Sequence, residues 1–215
     1  MTIPKLHYIS QGDSPEAHLE AIQKACAAGA ELVQLRLKHT ERQIVLDTAV
    51  AARKLTAHFQ TRLIINDDYE IAKEVKADGV HLGKTDACPT EARAHMEKWQ
   101  CIGGTANTLQ DCEELIAKEV DYIGLGPYRY TNTKKNLSPI LGREGYLTIL
   151  EILKTETPII AIGGITLEDV PQLLTTGIHG IAASSEIHED FNRIGKFNQL
   201  LKAPATQEQV WKLEQ

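Results

Sequence analysis

The sequence has no apolar run approaching the roughly 20 residues of a membrane span, which excludes a helical membrane protein. Its four cysteines, Cys26, Cys88, Cys101 and Cys112, form no CxxC pair, and no paired Cys/His spacing suggests zinc. They read as reduced thiols of a cytoplasmic protein. The net charge of −6 argues against nucleic-acid binding, so local basic clusters read as sites for small anions. Met1-Thr2-Ile3-Pro4-Lys5 runs straight into a strand-like segment, and no secretory signal is expected. No GxGxxG follows the first strand, where Ser10-Gln11-Gly12-Asp13-Ser14 stands, and this disfavours a doubly wound sheet. No Ser-His-Asp set is visible. The eight histidines fall without pattern, and His81, mid-strand, reads as packed. No lysine at the end of strand six suits Schiff-base chemistry.

What is present is a repeated rhythm. Eight times a short apolar run stops at glycine or a polar residue, and a stretch with helical character follows. The strands read as Leu6–Ser10, Leu32–Leu37, Leu63–Ile65, Gly79–Gly83, Cys101–Thr105, Tyr122–Gly126, Pro158–Ile162 and Gly180–Ala183. Helices are expected after Asp13 or Ser14, from Thr40, from Tyr69 and from Pro89. Others are expected over 108–118, 145–154 and 167–174, with the last over Phe191–Leu201. Short, nearly continuous apolar strands in this alternation predict a single (β/α)₈ TIM barrel over residues 1–202, with a tail over 203–215 that includes Trp211. At 215 residues the chain is long enough for one sizeable core.

In such a barrel the strand ends share one face, so residues far apart in sequence meet there. Asp67 follows strand three and Asp86 follows strand four. Adjacent strands lie about 4.8 Å apart, so the two carboxylates are placed to share a divalent cation, Mg²⁺ being the natural choice. Helix capping is the competing reading, favoured for Asp68. Gln34, Arg36 and Lys38 alternate with Leu35 and Leu37 and so share a direction. Inward cations call for an anionic partner, whether a ligand or a strand-end salt bridge. Thr131-Asn132-Thr133-Lys134-Lys135, in the one long polar loop, could wrap a phosphate. Gly163-Gly164 and Ser184-Ser185, after strands seven and eight, occupy a recurrent backbone phosphate site of these barrels, or form plain turns. Two anion sites, a metal and no obvious nucleophile suggest transfer between two phosphorylated small molecules with loss of pyrophosphate.

The motifs Gln34-Leu35-Arg36-Leu37-Lys38, Ile65-Asn66-Asp67-Asp68, His81-Leu82-Gly83-Lys84-Thr85-Asp86, Gly124-Leu125-Gly126-Pro127 with Thr131-Asn132-Thr133-Lys134, and Ala161-Ile162-Gly163-Gly164-Ile165 resemble thiamine-phosphate synthase in order and spacing, up to about Glu189. The resemblance implies a barrel enzyme that joins hydroxymethylpyrimidine pyrophosphate to a thiazole phosphate, or its carboxylated form. The products are thiamine phosphate and pyrophosphate, by a dissociative route. It implies Mg²⁺ on Asp67 and Asp86, and pyrophosphate on Arg36, Lys38, Asn66 and Lys134. It places Gln34 and Thr105 by the pyrimidine, and Thr131 and Thr133 over the reacting groups. Gly163, Ser184 and Ser185 would receive the thiazole phosphate. Arg36, Lys38, Lys134 and Thr105 are the residues expected to carry catalysis.

The chain departs from that family's pattern in places. Leu37 stands where an acidic residue is usual, Thr105 and Asn107 replace serine and histidine, and Tyr128-Arg129-Tyr130 replaces an apolar pair and proline. The loop from Tyr128 to Gly142 is the expected lid. Competing readings are a thiazole tautomerase, a phosphosugar isomerase or epimerase, and a non-catalytic protein binding a thiamine precursor. Oligomeric state stays open, a homo-oligomer being compatible with the sequence.

Overall fold

The computed structural model describes residues 2–130 and 139–203. Its eight parallel strands are β1 (Leu6–Ile9), β2 (Leu32–Leu35), β3 (Arg62–Asn66), β4 (Gly79–Leu82), β5 (Cys101–Ala106), β6 (Tyr122–Leu125), β7 (Ile159–Ile162) and β8 (Gly180–Ala183). They pair in sequence order, and β1 closes on β8 through Leu6↔Ile181, His7↔Ala182 and Tyr8↔Ala183. The expected (β/α)₈ barrel is therefore the observed one. The tail from residue 204, with Trp211, lies outside the described residues.

The helices are α1 (Pro15–Ala27), α2 (Arg42–His58), α3 (Tyr69–Glu74), α4 (Pro89–His95), α5 (Leu109–Ala117), α6 (Gly142–Leu153), α7 (Val170–Leu174), α8 (Ser185–Glu189) and α9 (Arg193–Leu201). Local chemistry starts several of them. Ser14 accepts the Ala17 amide ahead of α1, with Pro15 in the first turn. Asp68 accepts the Ile71 amide at 2.8 Å ahead of α3. Thr108 and Asp111 form a reciprocal capping box on α5.

Several boundaries differ from expectation. β2 ends at Leu35 rather than Leu37, because its ladder with β3 ends at Leu35↔Ile65. Thr40 does not cap α2; its hydroxyl donates to the Lys38 carbonyl at 3.2 Å, and Glu41 holds the cap position. α6 starts at Gly142, three residues before the expected Gly145. The expected helix over 167–174 divides into a 3₁₀ turn, Leu167–Asp169, and α7. The five-residue α8 was not anticipated, and α9 starts at Arg193 rather than Phe191.

Alternation divides the strand side chains between two cores. Leu63, Ile65, Val80, Ile102 and Ile123 face the helices, while Leu32, Ile64, Cys101, Tyr122 and Ile160 fill the barrel axis. Strands buried on both faces read as continuous apolar runs for this reason. The barrel's lower rim is tied by a repeated device. Asp78 accepts the Leu63 amide at 2.8 Å and Arg53 at 2.6 Å, and Asp121 likewise accepts the Ile102 amide and Arg93.

His7 lies wholly inside the axis, its Nε2 3.0 Å from the Pro4 carbonyl and its ring edge-on to Tyr122. Burial lowers its pKa to about 3, and His81, His179 and Arg62 push the same way against the Pro4 carbonyl. The neutral ring thus stabilises the fold fully above its unfolded pKa of about 6.5, and that contribution is lost as pH falls from about 6.5 towards 3. Denaturant unfolding at pH 7 and pH 5 is expected to show His7→Gln losing less stability than the parent chain, by about 1–2 kcal/mol. Equal losses in the two proteins would count against His7 as the acid-sensitive group.

Candidate active site

The mouth of the barrel, where the strands end, gathers most of the sequence-identified residues. Asn66 ends β3 in register with His81 of β4, and the Asp67 amide donates to the His81 carbonyl at 2.8 Å. Asp67 itself adopts a left-handed conformation (φ 70°), which turns the chain sharply off the strand. Asp86 comes from the β4–α4 loop, its Oδ2 accepting the Gly83 amide at 2.6 Å. The two carboxyls lie close enough for each to feel the other's charge. Burial and then this neighbour raise the Asp86 pKa above the usual carboxylate value, while the Gly83 amide and Lys38 oppose the rise.

Lys38 Nζ lies 2.8 Å from Asp67 Oδ2. Burial lowers the Arg36 pKa and the Asp67 charge opposes this, so the guanidinium belongs to the same field. Leu37 packs against the outer core, turned away from its two cationic neighbours. Gln34 is buried below them on β2. Two neighbouring carboxyls, with the ionised form of Asp86 disfavoured by burial and by Asp67, suit a divalent cation. Mg²⁺ typically takes one or two carboxylates, with phosphate oxygens and water completing its shell. Among the described residues no group of three or more His, Cys, Asp or Glu side chains could hold a metal. Asp67 and Asp86 would therefore be the protein's share of such a site.

Thr105, on β5, sits deeper. Its hydroxyl is 2.9 Å from His81 Nε2, and His81 Nδ1 is 3.1 Å from the Tyr122 hydroxyl. His81 also stacks on the Tyr122 ring at 5.5 Å. His81 is thus both packed, as its mid-strand position suggested, and in contact with Thr105, a residue expected at the site. The sequence reading missed that contact, since nothing local pairs position 81 with 105. A cavity of about 390 Å³ opens beside Thr105 and Asp86, edged by Lys84, Asp111 and Lys118. A groove of about 800 Å³ runs along the flank of α3 and α4, lined by Tyr69, Lys73, His95 and Trp99. Asn107 is buried and its amide donates to the Gly126 carbonyl, so it braces the end of β6.

Across the mouth, Gly163 and Gly164 both have positive φ (94° and 69°). A Cβ on Gly163 would lie 2.6 Å from that of Pro127, so only glycine fits this turn. Arg129 clamps it. Its guanidinium donates to both Asp169 oxygens, at 2.8 and 2.6 Å, and to the Gly164 carbonyl at 2.9 Å. Asp169 in turn accepts the Thr166 amide and hydroxyl. The Leu141 and Gly142 amides donate to the Pro127 and Tyr128 carbonyls, which stitches together the two ends of the long loop. Thr131, Thr133 and Lys134 fall in that loop and lie outside the described residues. Ser184 and Ser185 follow β8, and both hydroxyls are bonded by Gln11. Gln11 and the Arg129–Asp169 pair were not among the expected site residues. An arginine standing where the family pattern is apolar was the one available signal for the pair.

Residues 6–187 match the profile of the family described as Thiamine monophosphate synthase. A thiamine-phosphate synthase of Flavobacterium psychrophilum is 43% identical over 201 residues, covering 92% of this chain and 98% of its own. Its counterpart in Flavobacterium johnsoniae is 44% identical over 188 residues, covering 86% and 89%. Among solved structures, thiamine phosphate pyrophosphorylase from Pyrococcus furiosus superposes with a TM-score of 0.77 at 24% identity, covering 92% of this chain and 95% of that one. At that identity the superposition speaks to the fold alone.

Proposed function

Because the chain belongs to the thiamine monophosphate synthase family, we propose that it couples hydroxymethylpyrimidine pyrophosphate to a thiazole phosphate. The products are thiamine phosphate and pyrophosphate. It is a transferase of thiamine biosynthesis. The observation that carries the reading is the cluster of Asp67, Asp86, Lys38 and Arg36 at adjoining strand ends, facing the glycine turn and serine pair across the mouth.

The chemistry asks for charge placement more than for an acid or base. The C–O bond between the pyrimidine methylene and pyrophosphate breaks, and its electron pair leaves on the pyrophosphate oxygen. The thiazole nitrogen lone pair then closes the C–N bond to the pyrimidine-methyl cation. Arg36 and Lys38 meet the negative charge that grows on the leaving group, and Asn66 and Lys134 join them there. Preorganised cations of this kind commonly provide the largest single share of rate enhancement. Mg²⁺ on Asp67 and Asp86 would supply further charge neutralisation at the leaving pyrophosphate. Gln34 and Thr105 border the pyrimidine, with Thr105 oriented by His81. Thr131 and Thr133, outside the described residues, are assigned to the reacting groups, and Gly163, Ser184 and Ser185 seat the thiazole phosphate. No helix among the described residues is long and apolar enough to cross a membrane. Four free thiols and phosphorylated substrates support a cytoplasmic setting.

The test is a pyrophosphate-release assay with both substrates, with and without Mg²⁺. Release is expected only when both substrates and the metal are present, matched one for one by thiamine phosphate. Release that ignores the thiazole phosphate would mean hydrolysis and would overturn the coupling reaction. Full activity in a chelator would overturn the metal.

A further inference from the structure

We propose that Gln11 is a positioning residue for the acceptor phosphate, a proposal that rests on the seat assigned above to Ser184 and Ser185. Gln11 Nε2 lies 2.8 Å from Ser184 Oγ and 2.9 Å from Ser185 Oγ. A primary amide nitrogen carries two protons, and here each serine oxygen takes one. Ser184 spends its own proton on the Ile9 carbonyl, 2.7 Å away. Ser185 accepts from Gln11 and, among the described residues, has no acceptor for its proton. One amide therefore fixes which hydroxyl is presented: Ser184 is committed to the strand, and Ser185 keeps a donor for an incoming phosphate oxygen.

The loop that carries Gln11 is anchored on its other flank, by the neighbouring strand β2. The Ser10 amide donates to the Gln34 carbonyl at 2.9 Å, and Ser10 Oγ accepts the Arg36 amide at 3.2 Å. Ser10 Oγ also hydrogen-bonds with His18 Nδ1, 2.7 Å away. Ser10 and His18 are both buried, so this linkage is not exchanged for water. Gln11 thus reaches the acceptor seat from a base built into the end of β2, beside the residues assigned to the leaving pyrophosphate. The β1–α1 loop sets the spacing between the two anion sites.

The test compares Gln11→Ala, Ser185→Ala and the double variant. It reads KM for each substrate by steady-state kinetics and thiazole-phosphate affinity by calorimetry. Losing one oriented hydrogen bond is expected to weaken thiazole-phosphate binding about tenfold in either single variant. KM for the pyrimidine pyrophosphate should stay within about twofold of the parent value. Because Gln11 acts through Ser185, the double variant should be no weaker than the worse single one. Gln11→Glu should be weaker still, about a hundredfold, since a carboxylate accepts the Ser185 proton and repels phosphate. Multiplying losses in the double variant, parallel rises in both KM values, or unchanged affinity in Gln11→Ala would each overturn the proposal. A parent protein that binds no thiazole phosphate would instead overturn the acceptor assignment itself, so the two failures read differently.

Discussion

Asp86→Asn is expected to lower turnover by about 10²–10³-fold while leaving the melting temperature unchanged or slightly raised. The two halves of this expectation come from the same geometry. In the folded protein the Asp86 carboxyl is partly buried against Asp67, and its pKa is raised for that reason. Ionising it at neutral pH therefore costs stability instead of adding it. Asparagine keeps an oxygen for the Gly83 amide, which Asp86 accepts at 2.6 Å, and removes the repulsion with Asp67. What it also removes is half of the charge that would draw a cation to the leaving pyrophosphate.

Asp67→Asn should behave alike in turnover. It is a cleaner choice than alanine, because Asp67 sits at φ 70°, where asparagine is tolerated and alanine is strained. Its stability should fall slightly, through loss of the 2.8 Å contact with Lys38. That pair is half exposed, so the loss is under about 1 kcal/mol. Steady-state rates beside thermal melts decide the matter. An Asp86→Asn protein that works normally would sink the metal assignment, and one that melts far below the parent would recast Asp86 as structural.

Why some of this was legible in the sequence and some was not follows from range. Leu63-Ile64-Ile65 announces a barrel strand because its neighbours alternate between the helix layer and the axis, and both are apolar. Asp67 and Asp86 could be brought together on paper, because each follows one of two consecutive strands and parallel neighbours end side by side. The Gly163-Gly164 turn was visible for the same reason. The end of β2 was not, since it is set by the last rung of its ladder with β3, Leu35↔Ile65. Gln11 belongs to a loop with no motif, and its partners lie 173 and 174 positions on. Arg129 and Asp169 are 40 apart and each looks like an ordinary surface charge. Helix α8, at five residues, is too short to carry a period. Contacts that lie between motifs, rather than within them, were the ones lost.

The same reasoning identifies the position where a single methyl group should do most harm. Gly103, on β5, faces the axis beside Tyr122 in the register Gly103↔Tyr122. A Cβ there would lie 2.1 Å from Tyr122 Cζ and 2.5–2.6 Å from both Cε atoms. The ring has no room to retreat. It is 1% exposed, held edge-on by His7 at 5.1 Å and face-on by His81 at 5.5 Å. Overpacking of this kind typically costs about 1–3 kcal/mol, and about 2–4 °C of melting temperature accompanies each kcal/mol in a chain this long. Gly103→Ala should therefore melt roughly 5–10 °C lower. It should also lose activity in the protein that remains folded, because Tyr122 can move only by disturbing His81, and His81 holds Thr105. Tyr122→Phe keeps the clashing ring atoms and should not relieve the defect in the Gly103→Ala background. Tyr122→Leu removes those atoms and should restore much of the melting temperature without restoring turnover, since the hydroxyl that orients His81 is gone. If Gly103→Ala alone melts with the parent, the axis is looser than its glycines imply.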